Sequence, residues 1–158
     1  MVSPAEILKG RILIVDDKRP MVVLLERILH SGGFVSVSTT TEPSLVCDLQ
    51  RKHDYHLILL DIEMPEMDGF EVLRELRRSY PDDMPPIIVI TAHQGQKMQA
   101  FQAGARDFIG KPFELPEVLA RVRNMLEIRL LQLETQRYIK ALEDRVREAE
   151  HQITGHFR

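Results

Sequence analysis

Four short apolar runs, each ending in a polar residue, constrain the fold of this chain more than any other feature. Short, uninterrupted and β-branched runs are typical of strands buried on both faces of a parallel sheet. In open α/β sheets, functional groups lie at the carboxyl ends of the strands. The runs and the residues that follow them are 12–15 before Asp16 and Asp17, 57–60 before Asp61, 87–90 before Thr91, and 108–109 before Gly110 and Lys111.

Helical patterns alternate with these runs, so the sequence predicts a doubly wound α/β domain with a five-stranded parallel sheet. Short links between parallel strands require right-handed crossovers, which place helices on both faces of the sheet. We expect the second strand at residues 34–38, a cap at residues 39–41, and a helix that begins at Pro43. We divide the chain into an N-terminal lead (1–10), the α/β domain (11–128) and a helical extension (129–158).

Composition narrows the class of protein. The chain has 158 residues, enough for one core with an appendage, and a formal net charge of -3, which argues against nucleic acid as a direct partner. Its one cysteine, Cys47, excludes an intramolecular disulfide and fits a reducing compartment. We find no zinc-like spacing, signal peptide or apolar stretch of membrane-spanning length, and we expect a cytoplasmic protein without membrane contact.

The acidic strand ends predict a divalent-metal site. Mg²⁺ prefers oxygen ligands, and Asp16, Asp17 and Asp61 offer three carboxylates. Like charges this close together raise one another's proton affinity unless a cation neutralises them, and Lys111 alone is not enough. Because Asp61 stands alone at its strand end, it is the better nucleophile toward phosphorus, with the Lys111 ammonium and the Thr91 hydroxyl placed to hold phosphate oxygens.

These residues together resemble the receiver domain of two-component response regulators. The resemblance covers about residues 10 to 128, and its motifs are specific as a set. It implies the flavodoxin-like sheet of that family. The matching segments are Asp16-Asp17, residues 61–69, Thr91-Ala92, Gly104-Ala105 and residues 107–113.

The resemblance implies a role for each site residue. Asp61 would accept a phosphoryl group from a histidine kinase. Mg²⁺, or Mn²⁺, would be bound by Asp17, Asp61 and the backbone carbonyl of Glu63, with Asp16 acting through water. The phosphate-binding and switch residues would be Thr91, Ala92, Lys111 and Phe108, and the Lys111–Pro112 peptide bond is often cis in the family.

Several residues also have a simpler interpretation. An acidic pair after a strand is usually a helix cap, and Phe108 on the last strand is as typical of a core as of a switch. Met64 and Met67 favour loop packing, and His93 favours a solvated loop. The segment from Thr91 to Gly104 is about two residues shorter than the family pattern, so we expect an abbreviated helix or loop there. Glu63 and His93 stand at positions that resemble the family's tuning sites for phosphate lifetime.

The C-terminal segment predicts one long helix. No glycine occurs between Pro116 and Gly155, and a helix over residues 116–153 would be roughly 57 Å long, so its distal half must project. Apolar residues recur at near-heptad steps with a stutter around 139–142, and the charges balance. We expect a coiled coil that forms a parallel homodimer and passes the signal on, against the alternative of a single solvated helix.

Three functions remain open at this point. A phosphoacceptor switch, which is not a turnover enzyme, fits the residues best. A phosphatase that uses Asp61 is disfavoured, because such enzymes carry a second aspartate where Glu63 stands. A scaffold or dimerisation module with an unused site is the third. Residues 129–158 are too few for an output domain, so either the chain is part of a longer regulator or the dimer is itself the output.

Overall fold

The computed structural model describes residues 1–63 and 68–156. It contains a sheet of five parallel strands in the order β2-β1-β3-β4-β5. This architecture confirms the predicted doubly wound fold. The strands are β1 (Arg11–Val15), β2 (Ser36–Thr40), β3 (Leu57–Asp61), β4 (Ile87–Thr91) and β5 (Asp107–Gly110).

The helices cover both faces of the sheet, and each face has its own core. On one face, alternate strand residues such as Ile12, Ile14 and Leu59 pack against Leu25 and Val122. The intervening residues pack on the other face against α3, α4 and α5. The described helices are α1 (Pro4–Leu8), α2 (Arg19–Ser31), α3 (Val46–His53), α4 (Gly69–Ser79), α5 (Lys97–Gln102) and α6 (Leu115–His156), with 3-10 turns at Pro43–Leu45 and Gln94–Gln96.

The central strands carry the continuous apolar runs because both of their faces are covered. Every residue of β3 and β4 is buried. The edge strand β2 has only half-buried and exposed residues, which matches its small polar composition. The three central strands, β1, β3 and β4, are neighbours in the middle of the sheet. Polar groups at their carboxyl ends therefore lie side by side.

Two sequence predictions need correction. The second strand spans Ser36–Thr40 rather than 34–38, because β1 pairs with it through Val15 and Thr40, which draws Thr39 and Thr40 into the ladder. Pro43 begins a 3-10 turn, and α3 itself begins only at Val46. The N-terminal lead contains a short helix, α1, which buries Ile7 in the core.

Helix α5 is short, as the abbreviated segment predicts. It has six residues and ends before Gly104, which adopts a φ of 115° that glycine tolerates without strain. The preceding 3-10 turn at Gln94–Gln96 completes the connection from β4.

Helix α6 is the longest element, with 42 residues and a length of about 63 Å at 1.5 Å per residue. Its first part packs on the sheet through Val118, Val122 and Leu126, all fully buried. Arg129 closes this contact with an ion pair of 3.0 Å to Asp83. Residues within 131–136 still line a groove with Tyr80, Pro81 and Asp82, and residues 137–155 are all exposed. Within residues 1–63 and 68–156, none of the helices combines the length and the apolar character needed to cross a bilayer.

Candidate functional site

Three carboxylates meet at the carboxyl edge of the sheet. Asp16 and Asp17 follow β1, and Asp61 is the last residue of the neighbouring strand β3. One carboxylate oxygen from each residue lies within 4.8 Å of the other two. The convergence predicted from the strand ends is therefore present in the fold.

This cluster fits a hard cation. Among the described residues, Asp16 Oδ2, Asp17 Oδ1 and Asp61 Oδ2 are buried and have no hydrogen-bond partner. Buried carboxylate oxygens without partners are costly, and a divalent ion with oxygen ligands removes that cost. The chemistry of the donor set thus matches the cation that the sequence predicts, and the Glu63 carbonyl remains a predicted further ligand.

Burial also perturbs the acid chemistry of the site. It raises the pKa of Asp16 to about 6, and the neighbouring Asp61 carboxylate adds to this shift. The backbone N–H of Lys18 opposes it by donating to Asp16 Oδ1 at 2.9 Å. Without a cation, ionisation of the Asp16 carboxylate therefore costs free energy in the folded state.

The Asp61 carboxylate is held in a defined orientation. Its side chain is 1% exposed, and Oδ1 accepts a hydrogen bond of 3.0 Å from the backbone N–H of Glu63. Oδ2 lies 3.5 Å from Lys111 Nζ, which is an ion-pair contact without hydrogen-bond geometry. Lys111 is itself held by its backbone N–H, which donates to the carbonyl oxygen of Thr91 at 2.9 Å, and its bond to Pro112 is cis.

The Thr91 hydroxyl, at the end of β4, donates to the carboxylate of Glu63 and lies 3.1 Å from Gln96 Oε1. The backbone N–H of Ala92 donates to the same Glu63 oxygen at 3.0 Å. The hydrogen bond from Thr91 lowers the pKa of Glu63, Ala92 adds to the effect, and partial burial opposes it. His93 is exposed, with Nε2 3.7 Å from this oxygen. The Glu63 carboxylate thus accepts hydrogen bonds from Thr91 and Ala92, the two residues that the sequence predicts to bind phosphate.

Phe108 lies on β5 beside the Lys111 strand end. Its ring is buried, and Lys97 Nζ lies 5.8 Å from the ring centroid, within cation–π range. A groove of about 430 Å³ runs past this residue between α5 and the start of α6. The ring therefore borders a groove at the surface, and its switch role stays a prediction.

Sequence reasoning missed three features of the site. It used the carbonyl of Glu63 as a metal ligand but not the carboxylate that holds Thr91, and it did not single out Gln96. It also gave no role to Gly69, where an added Cβ would lie 2.5 Å from Ile62 Cα. For this last feature, the only signal in the sequence was the glycine itself, which follows an acidic loop. Met64 and Met67 lie outside the described residues.

The fold and the site together define a receiver-type α/β domain, with acidic, hydroxyl and ammonium groups at the carboxyl edge of a parallel sheet. Comparison with known families agrees. The chain belongs to the response regulator receiver domain family, whose sequence profile matches residues 12–123.

Individual relatives match the same part of the chain. The uncharacterized transcriptional regulatory protein YkoG of Bacillus subtilis is 38% identical over 120 residues, covering 75% of this chain and 51% of YkoG. The chemotaxis protein CheY of the same organism is 38% identical over 118 residues, covering 73% of this chain and 97% of CheY. A putative response regulator from Chloroflexus aurantiacus has a similar structure, with a TM-score of 0.70, 28% identity, and coverage of 75% and 98% of the two chains.

The lengths of these relatives differ. The chain spans about half the length of several curated relatives that it matches, and nearly all of the length of the chemotaxis protein. The shared part is the receiver domain. The distal part of α6 lies outside the family match, since the match ends at residue 123.

Proposed function

We propose that this protein is a phosphoacceptor switch of a two-component system, in which Asp61 accepts a phosphoryl group from a histidine kinase. The carboxylate would attack phosphorus, a new P–O bond would form, and the P–N bond to the kinase histidine would break. One observation carries the proposal above the others. Asp61 Oδ2 is buried without a hydrogen bond, between an ammonium and two further carboxylates.

The surrounding groups fit the charge of the product. The phosphoryl group carries about 1.5 to 2 negative charges in place of the single charge of the carboxylate, and Lys111, the Thr91 hydroxyl and the Ala92 N–H could share this charge. Mg²⁺ or Mn²⁺ would be held by Asp16, Asp17, Asp61 and the Glu63 carbonyl, and it would supply the remaining neutralising charge. Phe108 would then respond to movement of Thr91.

The proposed output runs through α6. This helix begins next to the site edge and projects beyond the domain, so a change in the receiver domain can reach residues 129–158. We place the boundary of the receiver domain at residues 11–128 and propose a homodimer formed by the distal helix. The dimer could itself be the output or could connect to a further output domain. The proposed location is the cytoplasm, without direct contact with nucleic acid or membrane.

Treatment with acetyl phosphate and Mg²⁺ tests the phosphoacceptor proposal. Intact mass spectrometry should show one added phosphoryl group on the wild type and none on Asp61→Asn. Asp68→Asn is the matched control, because Asp68 caps α4 by accepting from the Glu71 N–H at 2.9 Å, a role that asparagine keeps, and this variant should react like the wild type.

The other functions predict different results. A phosphatase would release phosphate over many turnovers without accumulating an adduct. A scaffold with an unused site would show neither adduct nor turnover under conditions in which it binds Mg²⁺. Either result would overturn the phosphoacceptor proposal.

A further inference from the structure

The distal part of α6 carries an exposed apolar stripe. Its large members are between 40% and 67% exposed, although each is a side chain that is usually buried in a helix interface. Two smaller residues, Thr135 and Ala149, complete the stripe. The full set is Leu131, Thr135, Tyr138, Leu142, Val146, Ala149 and Ile153.

The spacing of this stripe is an 11-residue repeat rather than a heptad. The steps are four, three and four residues, taken twice, so that Leu131, Leu142 and Ile153 occupy equivalent positions. A heptad continued past Leu142 would place Arg145 in the interface instead of Val146. An 11-residue repeat has about 3.67 residues per turn, close to the 3.6 of a straight helix, and it gives a nearly straight pair with slight right-handed twist.

Charged residues flank the stripe asymmetrically. At about 100° per residue, Arg145 lies about 60° to one side of Leu142, while Glu150 and Glu143 lie about 80° and 100° to the other. All three are exposed. The helix is therefore basic along one border of this part of the stripe and acidic along the other.

This asymmetry distinguishes the two directions of pairing. In a parallel, in-register pair, the basic border of one helix faces the acidic border of the other, so each Arg145 meets Glu143 and Glu150 of the second copy. In an antiparallel pair centred on Leu142, the two basic borders face one another and so do the two acidic borders. The two Glu143 side chains then approach one another. Around Leu142, charge complementarity favours the parallel pair, whereas in the preceding repeat the position equivalent to Arg145 is the acid Glu134, which adds no such preference.

We propose that residues 131–153 of α6 bind the same segment of a second copy, parallel and in register, through this 11-residue repeat. The inference rests on the proposed homodimer and specifies its geometry. It places the two receiver domains at the same end of the helix pair, and both C-terminal ends at the other.

Neighbouring substitutions in the full-length protein test the repeat. Sedimentation equilibrium over a dilution series should show that Val146→Ser weakens dimerisation at least tenfold, whereas Arg145→Ser weakens it only a few-fold. Both side chains are exposed in the single chain, so neither substitution should unfold it. Unchanged dimerisation of Val146→Ser would overturn the 11-residue repeat.

Cysteine cross-linking tests the direction, in a background in which Cys47 is replaced by serine. Thr135→Cys should form a disulfide with its own copy under mild oxidation, and so should Ala149→Cys. Cross-links that appear only when the two variants are mixed would show an antiparallel pair and overturn the proposal. The parent Cys47→Ser variant, which should stay dimeric and uncross-linked, is the control.

Failure of the dimer is separable from failure of the switch. A wild type that remains monomeric at high micromolar concentration, with or without acetyl phosphate, would overturn this inference. The phosphorylation of Asp61 would then be judged by mass spectrometry alone, because the helix interface does not include the site residues.

Discussion

At the scale of single residues, the site is a balance between carboxylates that repel and groups that hold them in place. Asp16, Asp17 and Asp61 share a buried space, and Lys111 supplies one positive charge at its border. The balance is incomplete without a cation, since three oxygens lack partners. Substitutions that remove one charge should therefore change stability in a predictable direction.

Replacing Asp16 by asparagine should stabilise the metal-free protein at pH 7. The pKa of Asp16 is raised from 3.8 to about 6, so the folded state bears an unfavourable ionised group above pH 6 and loses that penalty as the pH falls toward 4. The expected gain at pH 7 is about 2 kcal/mol, and it should vanish near pH 4. Urea denaturation at both pH values measures this difference.

The same variant should lose most of its stabilisation by Mg²⁺. Asp48→Asn, which changes an acid of similar charge on the surface, is the control and should retain the response to Mg²⁺. A loss of stability in metal-free Asp16→Asn at pH 7 would contradict the prediction.

Removing the Glu63 carboxylate should make the site bind a phosphoryl analogue more tightly. The carboxylate now accepts hydrogen bonds from Thr91 and from the Ala92 N–H, and charge-assisted bonds of this kind must be broken when a phosphate takes their place. Glu63→Ala should bind beryllofluoride with Mg²⁺ about tenfold more tightly by calorimetry, corresponding to about 1.4 kcal/mol. Glu63→Gln should be intermediate, and weaker binding by both variants would refute the idea.

At the scale of elements, the geometry depends on how closely helices and strands approach. The N-terminus of α4 lies directly against the end of β3. A Cβ at Gly69 would be 2.5 Å from Ile62 Cα and 2.9 Å from the carbonyl oxygen of Asp61. Both are backbone atoms, so no side-chain rotation can relieve the overlap.

Gly69→Ala should therefore destabilise the protein by about 2 kcal/mol and weaken Mg²⁺ binding, because the end of β3 must shift. Gly95→Ala is the matched control, since nothing lies within 4 Å of a Cβ at that position. Its effect should stay within about 0.5 kcal/mol. Thermal denaturation with and without Mg²⁺ measures both effects, and equal behaviour of the two variants would contradict the close-packing argument.

A half-buried histidine couples the amino ends of β1 and β3. His56 Nδ1 accepts from the Arg11 N–H at 3.0 Å, and burial, with the Arg11 guanidinium adding, lowers the pKa of His56 to about 4. The folded state thus binds fewer protons than the unfolded state between about pH 6.5 and 4. Stability from this group is full above pH 6.5 and falls with the pH across that range.

His56→Asn, which retains a side-chain acceptor, should remove this pH dependence. Relative to the wild type, the variant should gain about 1 to 2 kcal/mol between pH 7.5 and pH 4.5, a range that allows for solvent screening of a half-buried group. Denaturant titrations at the two pH values give the difference directly. A constant difference between the proteins would show that His56 does not titrate in this way.

At the scale of the whole molecule, α6 connects two opposite edges of the domain. It begins just after β5, near Lys111 and the site, and it leaves the sheet at Arg129, which pairs with Asp83 ahead of β4. The buried part of the helix therefore spans the sheet from its carboxyl edge to its amino edge. A change at the site can reach the projecting segment through this packed stretch.

The ion pair between Arg129 and Asp83 should anchor the point at which the helix leaves the domain. The Arg129 side chain is 8% exposed, so Asp83→Asn would leave a buried guanidinium with a weaker partner, at a cost of about 1 to 2 kcal/mol given the exposure of Asp83. Asp82→Asn, at the adjacent position, should be near neutral. Equal denaturation midpoints for the two variants would contradict this anchoring role.

The sequence by itself determined the strand order along the chain, the parallel doubly wound class, and the carboxylates that meet at one edge. These follow from local patterns, because a buried strand must be apolar and its end is where polar groups begin. It also predicted the long C-terminal helix, since no glycine or proline interrupts residues 117–154.

Only the tertiary structure decided which groups contact one another at the site. The Glu63 carboxylate bonds with Thr91, a residue 28 positions away, and Gly69 is required by the backbone of β3 rather than by its own helix. The start of β2 was likewise set by its pairing with β1. The contact of Glu63 with Thr91 and the pairing of β1 with β2 join segments distant in the chain, and all three contacts depend on packing that no local pattern encodes.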